Sequence, residues 1–221
     1  MNVDPLLLSF EVAVVAIGIA GVLGVGIAWL MSSTRFFGSD VLDALITAPM
    51  VLPPTVLGYY LLLGIGRNST LGGAYEALTG SPLVFTKTAA IVAATIAALP
   101  FVVKTARTAM EDVDARLLGA AATLGASPVR VFWTISLPLC RGGILAGLAL
   151  GFARALGDFG VTLMIAGNIP GLTQTGALAI YDAVQANREA EAAGMVAVMS
   201  AAAFVALYAG TKLVGRRLHA W

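Results

Sequence analysis

The sequence predicts an all-α, polytopic membrane protein of about five transmembrane helices, with a helix–turn–helix loop between the third and the fourth. Three observations predict it. Hydrophobic residues make up 59% of the chain and charged residues 11%, far outside the composition of water-soluble domains. Apolar runs near the ~20 residues that cross a bilayer as a helix recur along the chain. Basic residues gather on alternate connections, as the sidedness of membrane proteins requires. A net charge of +1 leaves no basic surplus for nucleic acid. Cys140, the single cysteine, excludes an internal disulfide, and the single histidine, His219, leaves no cluster with metal-ligand spacing.

The first span, 6–30, carries Gly18, Gly21 and Gly24 as a small-residue stripe suited to close helix contact. Asp4 and Glu11 flank its beginning, so it lacks the basic start of a cleaved secretory signal and is expected to stay in the membrane. A basic turn with Arg35 follows, on the cytoplasmic side. The second span, 41–65, holds Pro53 and Pro54 in its middle. Two prolines remove two backbone donors, and the helix must bend or open there. A broken helix at membrane depth is tolerated only beside protein or a water-filled cavity, so the site reads either as a pathway-lining kink or as a packing kink.

Residues 66–86, polar and glycine-rich, read as an outer connection. The third span, 88–110, ends in a basic region containing Lys104, Arg107, Arg116, Arg130 and Arg141, which places the 111–138 loop inside. Within this loop, Val113 to Leu124 is rich in helix-forming Ala and Leu, and Gly125 can end the helix in a left-handed conformation. Ser127 and Pro128 then read as the cap and first residue of a second helix, whose apolar face is Val129, Val131, Phe132 and Ile135.

The fourth span is read as 142–166, one helix with Gly143, Gly147 and Gly151 four apart. Arg154 and Asp158 continue that stripe as an intramembrane ion pair, fitting either a gate element or a pair that holds the helix end. Residues 168–191 open as a loop, continue as a polar helix with Leu178, Tyr181 and Val184, and belong on the outer face. The fifth span, 192–214, is followed by basic residues. Nine basic residues (Arg35, Lys104, Arg107, Arg116, Arg130, Arg141, Lys212, Arg216, Arg217) fall inside and three (Arg67, Lys87, Arg188) outside. That asymmetry puts the N-terminus out and the C-terminus in. No internal repeat or linker marks a second domain, so 1–221 reads as a single transmembrane unit.

The loop carries a specific spacing: Ala120-Ala121, Gly125 four positions on, and Ile135-Ser136-Leu137-Pro138 after nine more residues. This resembles the cytoplasmic coupling loop of ABC importer permeases. Ala48 to Leu62 (APMVLPPTVLGYYLL), Phe152 to Gly171 (FARALGDFGVTLMIAGNIPG) and Thr175 to Gln185 (TGALAIYDAVQ) are similar to the molybdate-type branch of that family, with tungstate and sulfate permeases as near relatives. The resemblance implies a type I importer permease in the inner or plasma membrane. It also implies a homodimer with the pathway at the subunit interface, two ABC ATPase subunits below and an extracytoplasmic oxyanion-binding protein above.

On that resemblance the ATPase-coupling residues are Arg116, Gly119, Ala120, Ala121, Gly125, Ser127, Pro128, Arg130, Leu137 and Pro138. Gly119 departs from the family, which usually has Glu there, and Asp158 stands where relatives often have Glu. Pathway or gate candidates are Pro53, Pro54, Gly147, Gly151, Arg154 and Asp158. Candidates for docking the binding protein are Asn168, Pro170, Gly171, Thr173 and Gln174. No cofactor is expected on this chain; ATP and Mg belong to the partner ATPase. A phosphate-binding P-loop needs Gly directly before its Lys, whereas Lys87, Lys104 and Lys212 follow Thr86, Val103 and Thr211, so the chain reads as a transport subunit and not an enzyme. An ATP-independent secondary carrier would call for inverted repeats or relay carboxylates, and neither is found.

Overall fold

Residues 3–34 and 37–215 are described by the computed structural model, with side chains through 212. Arg35, Arg216, Arg217 and His219, used above to argue sidedness or the lack of a metal site, lie outside the described residues. The chain folds into helices α1 (Asp4–Ser33), α2 (Ser39–Val51), α3 (Pro54–Ile65), α4 (Thr70–Thr79), α5 (Lys87–Glu111), α6 (Ala115–Thr123), α7 (Pro128–Val131), α8 (Leu137–Leu156), α9 (Gly160–Ala166), α10 (Gly176–Gln185) and α11 (Glu189–Gly215). A π-helical turn, Phe132–Ser136, joins α7 to α8 without a break. Among the described residues no strand occurs.

Helix α5 is the axis of the bundle. Its Ala89, Ala90, Ala93, Ala94, Ala97 and Ala98 are buried, and Val102, Val103 and Ala106 extend the same buried column. Small side chains let neighbouring backbones approach, which is how helices gain packing energy where no water drives them together. Helix α1 closes on α5 at Gly24, where a Cβ would come within 2.9 Å of Val102 Cγ1, whereas Gly18 of the same stripe faces open space. Ser32 near the end of α1 lies beside Met110 near the end of α5, and Glu11 pairs with Lys87 at their starts, so α1 and α5 run parallel.

Helix α8 runs back along them. Gly143 abuts Ala109, and Gly151 abuts Ile17 and Ala98. Helix α11 then descends against α8, Gly210 facing Ala149. The α6–α7 loop and the ends of α1, α5 and α11 therefore share one end of the bundle, with α4, α10 and the 167–175 loop at the other.

Among the described residues four helices are long and apolar enough to cross a membrane, and the α2–α3 pair makes a fifth crossing if counted as one bent span. One expectation is corrected, and one connection contains a helix. The segment 142–166 is not one helix: α8 stops at Leu156, and Gly157-Asp158-Phe159 breaks the chain before α9. The 66–86 connection contains α4, which Ser69 caps by accepting the Gly72 N–H at 2.9 Å.

Candidate functional site

The loop at the basic end is built by local rules. Asp114, not singled out from sequence, accepts the Arg116 N–H at 2.8 Å and starts α6 at Ala115, two residues later than expected. At the far end Gly125 sits at φ 77°, with Ala126 N–H donating to Ala121 O at 3.1 Å and Gly125 N–H to Ala122 O at 3.0 Å. This pair of reversed bonds closes a Schellman turn, and it needs a residue free to be left-handed. Ser127 Oγ accepts from Arg130 N at 3.3 Å, and Pro128 opens α7.

Pro138 cannot donate to the helical ladder, and just ahead of it Leu137 N–H reaches back five residues to Phe132 O. The resulting π turn absorbs the proline without ending the helix, so Pro128 to Leu156 forms one continuous 29-residue rod. Of the predicted apolar face, Phe132 is buried against Trp29, ring centroids 4.8 Å apart, while Val129 is exposed. Helix α6 has no buried residue, and Arg116, Gly119, Ala120, Gly125, Ser127, Pro128, Arg130 and Pro138 are all exposed, with Ala121 and Leu137 half-buried. Leu124 at the tip is 88% exposed. Behind the loop, Trp29, Met110, Ala122 and Phe132 line a hollow of about 300 Å³. The arrangement is a protruding lever fixed to a membrane-crossing helix.

The two broken spans meet inside the bundle. At Leu52-Pro53 the chain turns through 120° between α2 and α3. Helix α9 crosses α3 at two glycines: a Cβ on Gly58 would lie 2.6 Å from Met164 Cβ, and one on Gly160 would lie 2.6 Å from Pro54 Cβ. Arg154 Nη1 donates to Asp158 Oδ1 at 3.0 Å, while Asp158 Oδ2 accepts from Thr162 N at 3.0 Å and Thr162 Oγ1 at 2.7 Å. Asp158, its side chain only 1% exposed, therefore both pairs with α8 and caps α9. It does not continue the glycine stripe of α8, because that helix has ended before it. Gly147 and Gly151 are not free to line a pathway either: a Cβ at 147 would come within 3.2 Å of Val102 Cα, and one at 151 within 2.7 Å of Ile17 Cδ1.

A further ion-pair cluster escapes sequence reading. Asp43 on α2 accepts from Lys104 Nζ at 2.5 Å and Arg107 Nη1 at 3.0 Å, and Arg107 Nε also reaches Glu111 at 2.7 Å. It fastens α2, whose only buried residue is Ile46, to α5. The partners lie 61 and 64 residues apart, so no local spacing announces them.

At the opposite end, the 167–175 loop is ordered by Asp182 of α10. Its carboxylate accepts both contacts of Asn168 Nδ2 at 2.9 Å and that of Gln174 Nε2 at 2.7 Å. Thr173 Oγ1 accepts the Ile169 N–H at 3.1 Å and donates to Gly167 O at 3.3 Å. Of the five residues named for docking, Thr173 is thus buried, and Asn168 and Gln174 are turned inward to a carboxylate. Pro170 and Gly171 stay exposed, between Ile169 and Leu172. Nearby on the same side, Arg67 Nε donates to Glu76 Oε2 at 3.0 Å and holds the Glu76 carboxyl below its ordinary pKa, while the carboxylate raises that of Arg67.

Comparison with known proteins gives a consistent result. The family model described as "Binding-protein-dependent transport system inner membrane component" matches residues 20–220. The chain is 42% identical to the molybdenum transport system permease protein ModB of Haemophilus influenzae, over 84% of this chain and 81% of that protein. It is 40% identical to ModB of Escherichia coli K12, over 91% and 88%. Among solved structures, the MetNI methionine ABC transporter in inward-facing conformations superposes with a TM-score of 0.73 over 96% of this chain and 94% of that one, at 15% identity.

Proposed function

Since the chain belongs to the family of binding-protein-dependent transport system inner membrane components, we propose that it is the membrane subunit of an ATP-driven molybdate importer. The observation that carries the reading is the exposed α6–α7 lever, closed by the Gly125 turn and continuous with the α8 rod. Such a lever has a purpose only if something outside the membrane pushes it. With no P-loop in the sequence, the push comes from ABC ATPase subunits, ATP and Mg being theirs. Two copies of this chain complete the pathway. The exposed apolar face of α3, including Tyr59, Tyr60 and Leu63, is where the second copy or the pathway would lie.

ATP binding draws the ATPase subunits together, the lever follows, and the α8 rod carries the motion to the α3–α9 crossing. The two hinges of that crossing are Leu52-Pro53 and Gly157-Asp158. Closure and opening exchange two packings of one set of helices, and the substrate biases the exchange only by binding the two unequally. With Asp158 offsetting Arg154, the pathway keeps no strong fixed cation here to trap a dianion. The lever end faces the cytoplasm and the α10 end faces outward, in the inner or plasma membrane.

The test is uptake by proteoliposomes containing this chain, its ATPase subunit and a molybdate-loaded binding protein, with internal molybdenum measured by mass spectrometry. Accumulation that requires ATP and the binding protein, and that excess sulfate does not suppress, is the expected result. Equal competition by tungstate or sulfate would reassign the substrate within the oxyanions. ATP-independent accumulation would replace the importer with a secondary carrier.

A further inference from the structure

The rod that runs from the lever into the membrane carries an arginine and a tryptophan that the transport reading leaves unused. From Pro128 to Leu156 it holds three arginines and no carboxylate. Arg154 is matched by Asp158, whereas Arg130 and Arg141 are exposed and make no ion pair among the described residues.

The π turn decides which residues stand beside Arg141. It widens one turn, so positions four apart stay in register through it, and Phe132, Ser136, Cys140 and Ile144 form a buried column. The column one residue on is Trp133, Leu137, Arg141 and Leu145. Trp133 is 62% exposed, Arg141 and Leu145 are exposed, and Leu137 is half-buried. A helical Cα–Cβ bond tilts toward the N-terminus, so Arg141 leaves the rod in the direction of the lever and of Trp133.

Their depth follows from α5. Cys140 Sγ lies 3.1 Å from Ala109 O, and a Cβ on Gly143 would lie 2.5 Å from Ala109 Cβ. Arg141 is therefore level with the end of α5, where Arg107 bonds Glu111. Charges of that kind mark where hydrocarbon gives way to headgroups. An indole and a guanidinium two turns apart on one exposed face then bracket the headgroup layer, and Leu145 continues the face into the hydrocarbon. A protein is the poorer occupant: the cores of protein interfaces are depleted in charge, and this face has no carboxylate of its own to offset its cations. The anionic headgroups of the inner leaflet supply the missing charge.

We infer that Trp133 and Arg141 form a binding site for one anionic phospholipid of the inner leaflet. Its phosphate accepts from the Arg141 guanidinium, the indole packs beside the headgroup, and the acyl chains run along the rod past Leu145. The lever-inward orientation, and with it the leaflet, rests on the importer reading. The lipid sits where the motion of the lever enters the membrane.

The experiment is native mass spectrometry of the assembly purified through a tag on this chain, stripped of lipid in detergent and titrated with phosphatidylglycerol or phosphatidylcholine. Retention of one phosphatidylglycerol per copy, about ten-fold tighter than phosphatidylcholine, is the expected result. Arg141→Ala should abolish that preference, Arg141→Lys should keep part of it, and Trp133→Ala should weaken retention of both lipids. Lys212→Ala removes a cation that lies over the Tyr208 ring at the same end, and it should change nothing. Equal retention by the wild type and Arg141→Ala overturns the site. So does equal loss in Arg141→Ala and Lys212→Ala, which would show diffuse attraction to the inner face. Displacement by glycerol 3-phosphate at matched concentration would show a site for the free anion and overturn the phospholipid. If Arg141→Ala and Arg141→Lys release the ATPase subunit or the second copy, the face is a protein contact and the lipid assignment falls. Preferential retention at Arg141 in an assembly whose uptake needs neither ATP nor a binding protein keeps the site and overturns the importer reading alone.

Discussion

Asp158 shows how one side chain can set a chain break inside a membrane. Its carboxylate is shared between an arginine on the helix before it and the first turn of the helix after it, so it offsets a cation and satisfies an orphan backbone donor at once. Removing Arg154 leaves that carboxylate buried with hydrogen bonds but no countercharge. Arg154→Ala should cost about 1–3 kcal/mol, below the usual cost of breaking a buried pair because Arg154 is 29% exposed. Arg154→Ala with Asp158→Asn should be less damaging than Arg154→Ala alone, since Asn keeps an oxygen for Thr162. Thermal unfolding of the purified complex checks this, and equal losses would argue against a direct pair. Glycines separate into three kinds that sequence alone cannot distinguish. Gly147 is closed against α5, and Gly147→Val should prevent stable insertion or lower stability by about 1–3 kcal/mol or more through overpacking. Gly119 on exposed α6 has nothing near a would-be Cβ, so Gly119→Ala should stabilise α6 by up to about 1 kcal/mol, measured by the same unfolding assay. Gly125 has space as well, but its positive φ penalises any side chain.

That backbone requirement governs the lever as an element. Gly125→Val strains the Schellman turn without meeting any neighbour, so the protein should still insert while substrate uptake and binding-protein-stimulated hydrolysis fall together. Uptake at the wild-type rate would sever the lever from transport. A second element, α4, depends on acidity. Arg67 bonds Glu76 and holds its carboxyl below the ordinary range, so the folded state favours the ionised form. The contribution is therefore complete above the ordinary carboxylate pKa and is lost as pH falls through the depressed value. Arg67 is exposed and Glu76 partly so, and the effect is local: hydrogen exchange in α4 should quicken under strong acid, and Arg67→Met should remove that dependence. Elements were legible where the signal was local. Ser127-Pro128, Gly125 and Pro53-Pro54 announced a start, a stop and a break through the chemistry of single residues. The second break was missed because it has no proline: Gly157 and Asp158 read as continuing a 142–166 span, and only the bonds to Thr162 show a stop and a new start. Helix α4 was missed because glycines at 72 and 73 mask a run that Ser69 caps.

At the scale of the whole molecule, hydropathy located the long apolar helices, while the contacts that join them were invisible. Asp43 with Lys104, and Asp182 with Asn168, are pairings that only the packed bundle brings together. Charge sidedness is the one global property that the sequence carries directly, and the structure sharpens it. The three basic residues assigned outside are each matched by a carboxylate: Arg67 by Glu76, Lys87 by Glu11 and Arg188 by Glu191. At the lever end, Arg116, Arg130 and Arg141 are exposed and make no ion pair among the described residues. Unpaired cations are the ones that resist translocation and face the anionic inner leaflet, so the bias on the lever end is stronger than the bare count. The expected consequence is an orientation with the lever end inward, which labelling can read. Ser81 and Thr123 are exposed at opposite ends, and the native thiol, Cys140, is buried with its Sγ 3.1 Å from Ala109 O. In intact cells whose outer barrier has been opened, a membrane-impermeant maleimide should modify Ser81→Cys directly and Thr123→Cys only after the membrane is breached. The reverse pattern would turn the bundle over, placing the lever where no ATPase could reach it, and the coupling proposed for Gly125 would fall with the orientation.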